Sequence, residues 1–175
     1  VETLTVGDPQ EETTRQGALV SEAHMQKVLS YIDLARQEGG TVLTGGERLH
    51  LPGRCADGWF IAPTVIEGLG PECRVNREEI FGPVVTLLPF ETPEEALRLA
   101  NGTDYGLAAS VWTQNLTRAH RIAHELHMGI VWLNCWMLRD LRTPFGGAKQ
   151  SGVGREGGLE ALRFFTEAKN VCLQL

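Results

Sequence analysis

The chain has 175 residues, of which 42% are hydrophobic and 22% charged, the composition of a globular protein with a core of its own. A net charge of −6 without any Lys/Arg run excludes a nucleic-acid surface, and no stretch approaches the roughly 18 apolar residues that span a membrane. The chain lacks a basic-then-apolar leader and starts with Val1 rather than Met, which indicates a fragment or a processed piece.

A helix is predicted from about Ser21 to Gln37, because apolar residues recur there at three- and four-residue spacing. Ser21 can cap this helix, and Gly39 follows its end. A strand "TVLTGG", a surface loop "ERLHLPGRCADG" and a second strand "PVVTLLPF" are predicted further on. The β-rich "WFIAPTVIEG" contains Pro63, which favours an edge strand or a bulge.

The second half begins with "TPEEALRLANG", where Thr92 caps a helix, Pro93 is its first residue and Glu95 completes a capping box. This helix is expected to bury Ala96, Leu99 and Ala100. A helix from about Leu116 to Met128 is expected to bury Leu116, Ala119, Ile122, Ala123 and Leu126. The remaining elements are the strand "LAASVWT", the strand "GIVWLN", the helix "GLEALRFFTEAK" and a terminal strand "NVCLQL".

Alternation of strands and helices at these lengths predicts an α/β fold with parallel-type strands and crossover helices. The continuous apolar strands favour a sheet that is covered on both faces. The terminal strand has a helix before it and no element after it, so it can leave the domain and pair elsewhere.

The segment "TPFGGAKQSGVGREGG", residues 143–158, contains a G-x-G-x-x-G match, which on its own suggests a dinucleotide-binding turn. That turn needs a strand directly before it and an acidic residue about 20 positions after it. Here the strand "GIVWLN" ends ten or more residues before the glycine turn. The residue about 20 positions after Gly152 is Cys172, with no acidic residue next to it. The favoured interpretation is a tight irregular loop whose glycines permit positive φ and close backbone approach.

Two groups of reactive side chains have unremarkable interpretations. The four cysteines form no C-x-x-C motif, which favours a reduced, cytoplasmic compartment; they are Cys55, Cys73, Cys135 and Cys172. Cys135 has no evident base beside it that would make it a nucleophile. His120, His124 and His127 follow helical spacing, which is compatible with a metal site, but a solvated helix face is the better reading. No metal is therefore expected.

Four segments together identify a family: "NREEIFGPVV" (76–85), "YGLAASVWT" (105–113), "GIVWLN" (129–134) and "PFGGAKQSGVGREGG" (144–158). In this order they resemble the carboxyl-terminal part of NAD(P)-dependent aldehyde dehydrogenases, and "GALVSEAHMQKV" and "VGDP" extend the likeness to the amino end. The resemblance implies oxidation of an aldehyde to a carboxylic acid through a thiohemiacetal, with NAD as cofactor and NADP not excluded.

Site residues carry over by position within these motifs. Glu79 matches the carboxylate that holds the nicotinamide ribose, and a carboxylate can accept hydrogen bonds from both hydroxyls of a diol. Its alternative is a solvated acid at the end of a strand. Phe81 matches the aromatic beside the nicotinamide, with core packing as its alternative or additional role.

The resemblance places the aldehyde tunnel at "NCWMLRDL" (134–141), where Trp136 and Leu138 would form apolar walls, and Phe145 borders the substrate mouth. Arg139 resembles its counterpart in muconate-semialdehyde dehydrogenases, whose substrates carry a carboxylate that a guanidinium can bind through two hydrogen bonds. The alternative is that Arg139 pairs with Asp140 or faces solvent at a loop tip.

The resemblance also divides the chain into a partial catalytic domain at 1–167 and an oligomerisation strand at 168–175, which implies a dimer or tetramer. It assigns no catalytic residue here, since the family's nucleophilic cysteine and general base precede this part of the sequence. The chain alone is therefore expected to be inactive. The rival interpretation is a truncated isoform or pseudoenzyme that acts only as an oligomerisation partner.

Overall fold

A computed structural model describes all residues from 1 to 175 and shows two compact units, Val1–Pro89 and Phe90–Leu175. No helix has the length and apolarity that crossing a bilayer requires. The helices are α1 (Glu22–Gln37), α2 (Arg74–Arg77), α3 (Pro93–Asn101), α4 (Leu116–Glu125) and α5 (Gly158–Phe165). The strands are β1 (Thr41–Thr44), β2 (Arg48–Leu49), β3 (Phe60–Ile61), β4 (Thr64–Glu67), β5 (Val84–Leu87), β6 (Tyr105–Gly106), β7 (Ala108–Val111), β8 (Ile130–Leu133) and β9 (Ala148–Lys149).

The core of the first unit forms around α1, as its sequence pattern predicts. The Ser21 hydroxyl caps the helix by accepting the His24 N–H at 3.2 Å. Four residues at helical spacing are fully buried on one face: Met25, Val28, Ile32 and Ala35. Burial of each of the larger side chains stabilises the fold by about 1.5–3 kcal/mol. Residues from β3, β4 and the segment around α2 complete this cluster.

A three-stranded sheet with the order β1-β4-β5 lies in the same unit; β4 pairs antiparallel with β1 and parallel with β5. The edge position expected from Pro63 is wrong for residues 64–67, because β4 is the central strand. Pro63 instead separates β3 from β4, so its missing N–H falls in the connection and not in the ladder. The irregularity is in β1, where the register shifts between Val42 and Thr44.

The segment predicted as a surface loop, residues 47–58, contains β2 and one turn of 3-10 helix, Gly53–Cys55. Strand β2 pairs antiparallel with β3. A two-residue strand carries too little periodicity for the sequence to indicate it.

The second unit contains the predicted crossover. Strand β7, helix α4 and strand β8 follow one another, and β7 pairs parallel with β8 over residues 108–111 and 130–133. Helix α4 ends at Glu125, three residues before the expected end. Ala119 and Leu126 are buried as predicted, whereas Leu116 is exposed because it is the first residue of the helix.

Helix α3 matches its predicted bounds and cap: the Thr92 hydroxyl accepts the Glu95 N–H at 3.1 Å. The Glu95 carboxylate accepts the N–H of Glu91 rather than that of Thr92, so the reciprocal half of the box is displaced by one residue. Leu97 is the residue that α3 buries, while Ala96, Leu99 and Ala100 are half-buried.

The expectation of a sheet covered on both faces is wrong, because exposed and half-buried residues alternate along β1, β5 and β7. The strands are two to four residues long and form four small sheets, two of which are purely antiparallel pairs, β2-β3 and β6-β9. The fold is therefore mixed α/β. Residues 170–175 form no strand and are exposed, since a strand requires a partner for its ladder and the chain offers none there.

Candidate cofactor and substrate sites

Two consecutive glutamates after α2 have opposite environments. The Glu78 carboxylate accepts hydrogen bonds from Arg74, at 2.7 Å from Nε and 2.9 Å from Nη2, and another from the Tyr31 hydroxyl. The Arg74 hydrogen bonds, followed by the one from Tyr31, lower the pKa of Glu78 to about 2. Glu78 therefore connects this loop to α1 through Tyr31 and to α2 through Arg74.

Glu79 is exposed, and its carboxylate makes no hydrogen bond or ion pair within the chain. Its backbone is fixed, because its carbonyl accepts a hydrogen bond from Lys27 Nζ on α1 at 2.9 Å. The result is a free carboxylate on a fixed backbone, which is what an acceptor for two ligand hydroxyls requires.

Phe81 is presented on the same loop. Its φ of 58° is in the left-handed region, the residue is 71% exposed, and its carbonyl accepts a hydrogen bond from His24 Nε2 at 2.6 Å. The His24 ring meets the Phe81 ring edge to face at 5.8 Å between centroids. Core packing is therefore not the role of Phe81; the neighbouring Ile80 is the buried residue.

In the second unit, residues 134–141 leave β8 on a backbone that is held at three points. Asn134 (φ 54°) accepts the Thr113 N–H at 2.8 Å and donates to the Thr113 carbonyl at 2.9 Å. Ser110 Oγ donates to the Cys135 carbonyl at 2.7 Å, and Trp132 Nε1 donates to the Leu138 carbonyl at 2.8 Å. The side chains of this segment that the sequence predicted as tunnel walls, Trp136 and Leu138, are both exposed.

Arg139 has a partner that the sequence did not suggest. Its guanidinium lies over the Phe145 ring, with 4.2 Å from Cζ to the centroid, and its Nη2 donates to Glu156. The alternative pairing with Asp140 is wrong, because Asp140 binds Arg142 through hydrogen bonds that lower the pKa of the Asp140 carboxyl. The structure thus brings together two of the expected substrate residues, Arg139 and Phe145.

The glycine-rich segment is the predicted tight irregular loop. Gly154 has a φ of 76°, and a Cβ there would lie 2.6 Å from the Phe164 ring of α5. A Cβ on Gly147 would lie 2.4 Å from the Ser151 carbonyl oxygen. Arg155 Nη1 donates to the carbonyls of Gly147 and Gly154 at 2.8 and 2.7 Å, which closes the loop on itself.

The cysteines and histidines considered above lie at exposed or half-buried positions. All four cysteines are free, and Cys135 is half-buried. His120, His124 and His127 are exposed, and His127 lies beyond the end of α4.

These groups lie on a mixed α/β fold that solved aldehyde dehydrogenases share. An NAD+ complex of a Bacillus cereus aldehyde dehydrogenase aligns with a TM-score of 0.88 at 44% identity, over 95% of this chain and 33% of that one. A P. syringae indole-3-acetaldehyde dehydrogenase in complex with NAD+ aligns with a TM-score of 0.92 at 42% identity, over 99% of this chain and 34% of that one.

The sequence leads to the same class. Residues 1–171 match the model of the aldehyde dehydrogenase family, and the chain belongs to that family. It is 51% identical to a 2-hydroxymuconic semialdehyde dehydrogenase of Pseudomonas sp. (strain CF600), over 99% of this chain and 36% of that protein. It is 48% identical to a 2-aminomuconic semialdehyde dehydrogenase of Bos taurus, over 97% of this chain and 35% of that protein. The chain thus spans about a third of the length of these relatives.

Sequence reasoning missed the residues that support the site, namely His24, Lys27 and Tyr31 on α1 and Glu156 in the glycine loop. The α1 residues recur at three- and four-residue spacing, which indicates that they share one side of the helix but does not indicate their partners. No spacing pattern in the sequence indicated Glu156, because its partner Arg139 is 17 residues away across an irregular loop.

Proposed function

We propose that this chain is the carboxyl-terminal part of the catalytic domain of an NAD(P)-dependent aldehyde dehydrogenase that oxidises carboxylated semialdehydes to the corresponding acids. The observation that carries the proposal is Arg139, whose guanidinium lies over Phe145 at 4.2 Å and whose segment also exposes the apolar side chains of Trp136 and Leu138. A substrate with an apolar body and a terminal carboxylate suits such a surface. The relatives' names, two of which specify muconic semialdehydes, support the same substrate class.

The residues of the first unit fit a nicotinamide cofactor. Glu79 offers an unpaired carboxylate for a ribose diol, and Phe81 offers an exposed aromatic face two residues further on. Bound NAD would supply the hydride acceptor. The part of this chain would be to orient that cofactor and to bind the aldehyde, while the nucleophilic cysteine and the general base are assigned to none of the 175 residues.

Two further features belong to the proposal. Residues 168–175 would form a strand with another subunit of a homo-oligomer, because they are exposed and have no ladder partner of their own. A cytoplasmic location is supported by four cysteines that form no disulfide.

The test is an Arg139→Ala variant of the protein that carries this sequence, assayed with succinic semialdehyde and with butanal. Loss of a charged hydrogen-bond partner is expected to lower kcat/KM for succinic semialdehyde by about 10- to 100-fold, because such contacts contribute roughly 1.5–3 kcal/mol. The loss for butanal is expected to stay below about threefold. Arg142→Ala, which removes a nearby guanidinium paired with Asp140, is the control.

Equal losses on both aldehydes would contradict the carboxylate-binding role of Arg139. Failure of the protein that carries this sequence, without any substitution, to oxidise an aldehyde with NAD or NADP would instead favour the alternative, a non-catalytic oligomerisation partner.

A further inference from the structure

Glu156 and Arg139 are brought together by backbone pairing as well as by charge. The N–H of Phe145 donates to the Glu156 carbonyl at 2.8 Å, and the N–H of Glu156 donates to the Phe145 carbonyl at 2.8 Å. This isolated antiparallel bridge fixes the Glu156 backbone opposite the ring on which the Arg139 guanidinium lies. The Arg139–Glu156 contact is therefore built into the loop.

The contact leaves the guanidinium partly available. Glu156 accepts only from Nη2, whereas Nε and Nη1 make no hydrogen bond within the chain. The side chains are 33% exposed for Arg139 and 61% exposed for Glu156. An ion pair with that exposure is weak, so an incoming carboxylate can share or replace it.

The Glu156 carboxylate also acts on that incoming group directly. A substrate carboxylate bound to Arg139 lies beside a second negative charge that contacts the same guanidinium, and like charges at such a separation repel each other. An uncharged aldehyde experiences no such repulsion, and for that substrate Glu156 neutralises an otherwise unpaired Arg139.

From this geometry we propose that Glu156 is a specificity-determining residue: it occupies Arg139 in the absence of a substrate carboxylate and weakens the preference for carboxylated over uncharged aldehydes. The inference rests on the proposed function of Arg139. The effect of Glu156 on KM depends on Arg139, because Arg139 is the group that would hold the substrate carboxylate beside Glu156.

The test is Glu156→Gln, which keeps a hydrogen-bond acceptor at the same length and removes the charge. KM for succinic semialdehyde is expected to fall by about three- to tenfold, while KM for butanal changes by less than about twofold. Glu160→Gln removes an equal charge from the neighbouring helix α5, where Glu160 pairs with Arg163, and is expected to leave the KM ratio unchanged. Should the Gln variant fold poorly, Glu156→Asp withdraws the charge from the guanidinium and is expected to lower the same KM by a smaller factor.

A double-mutant cycle separates this inference from the proposed function. If Glu156 acts through Arg139, the effect of Glu156→Gln on KM disappears in an Arg139→Ala background. An effect that persists in that background, an unchanged KM ratio, or a fall confined to kcat on both aldehydes would overturn the inference. If Arg139→Ala alone affects both aldehydes equally, the proposed carboxylate site fails first, and the role of Glu156 fails with it.

Discussion

The loop at residues 78–82 and the segment at residues 134–145 present their candidate ligand-binding groups in opposite ways. In the first, Glu78 is tied to Arg74 and Tyr31, and its neighbour Glu79 is left free. In the second, the candidate group itself, Arg139, is engaged by Glu156 and Phe145. A free group binds its ligand without giving up a partner, whereas an engaged group must exchange one.

The backbones of the two regions are held by the same kind of hydrogen bond. Side chains donate to main-chain carbonyls, from Lys27 to Glu79 and from His24 to Phe81 in the first region, and from Trp132 to Leu138 in the second. On the proposed function, a free carboxylate suits Glu79, because every turnover would use the same cofactor. An engaged guanidinium would allow selection at Arg139, because only some aldehydes offer a carboxylate that can replace Glu156.

The largest expected effect is a loss of stability on substitution of Gly129, which packs against the loop that follows the second region. Gly82 gives the matching substitution in the first region. A Cβ on Gly129 would lie 1.6 Å from the backbone oxygen of Gly146, which cannot move without the whole loop after Phe145. Gly129→Ala is therefore expected to lower the free energy of unfolding by about 4 kcal/mol or more. A Cβ on Gly82 would lie 2.7 Å from Val28, a side chain, so Gly82→Ala is expected to cost only about 1–3 kcal/mol.

Denaturant unfolding of the variants measures both effects. Gly70→Ala is the control, because a Cβ there meets nothing within 4 Å and the residue does not have a positive φ. Its effect is expected to be within about 1 kcal/mol. A Gly129 variant as stable as the control would show that the loop after Phe145 does not depend on this backbone contact.

The sequence predicted what depends on local chemistry. The bounds of α1 and α3 followed from apolar spacing and from the caps Ser21 and Thr92, and the parallel pairing of β7 with β8 followed from the helix between them. The sheet arrangement could not be predicted, because strands of two to four residues pair over distances that single-sequence patterns do not encode.

The site divides in the same way. Glu79, Phe81 and Phe145 were predicted as site residues from motifs, which fix residue type and spacing. Arg139 was predicted from the resemblance of its segment to muconate-semialdehyde dehydrogenases. Whether each side chain is free or paired depends on partners far away in sequence. Phe81 is 57 residues from His24 and Arg139 is 17 residues from Glu156, and no pattern in the sequence pairs either residue with its partner.

A smaller effect is expected from Glu79→Gln, which sharpens the description of Glu79 as the free group. The amide is a weaker acceptor for ribose hydroxyls, so the Kd for NAD, followed by protein fluorescence, is expected to rise by about tenfold, or roughly 1.4 kcal/mol. The free energy of unfolding is expected to stay within about 0.5 kcal/mol, because the carboxylate has no partner to lose. Glu67→Gln, another exposed acid of the same unit, is the control. Unchanged NAD affinity together with reduced stability would mean that Glu79 supports the fold and does not bind NAD.

The smallest effect is expected at Glu78, the tied group, and it depends on pH. Its pKa is lowered from 4.5 to about 2 in the folded protein, mainly by the hydrogen bonds from Arg74. A lowered pKa means that the ionised form stabilises the fold above about pH 4.5, and that this contribution is lost as the pH falls through about 2. Glu78→Gln is therefore expected to lower the melting temperature by a few degrees at pH 7 and to match the unmodified protein near pH 2. Thermal unfolding of both proteins between pH 2 and pH 7 measures the difference, with Glu91→Gln, whose carboxylate forms no ion pair, as the control. A difference between the Glu78 variant and the unmodified protein that stays constant over that range would mean that Glu78 supports the loop by packing alone, and the contrast with Glu79 would then be one of exposure rather than charge.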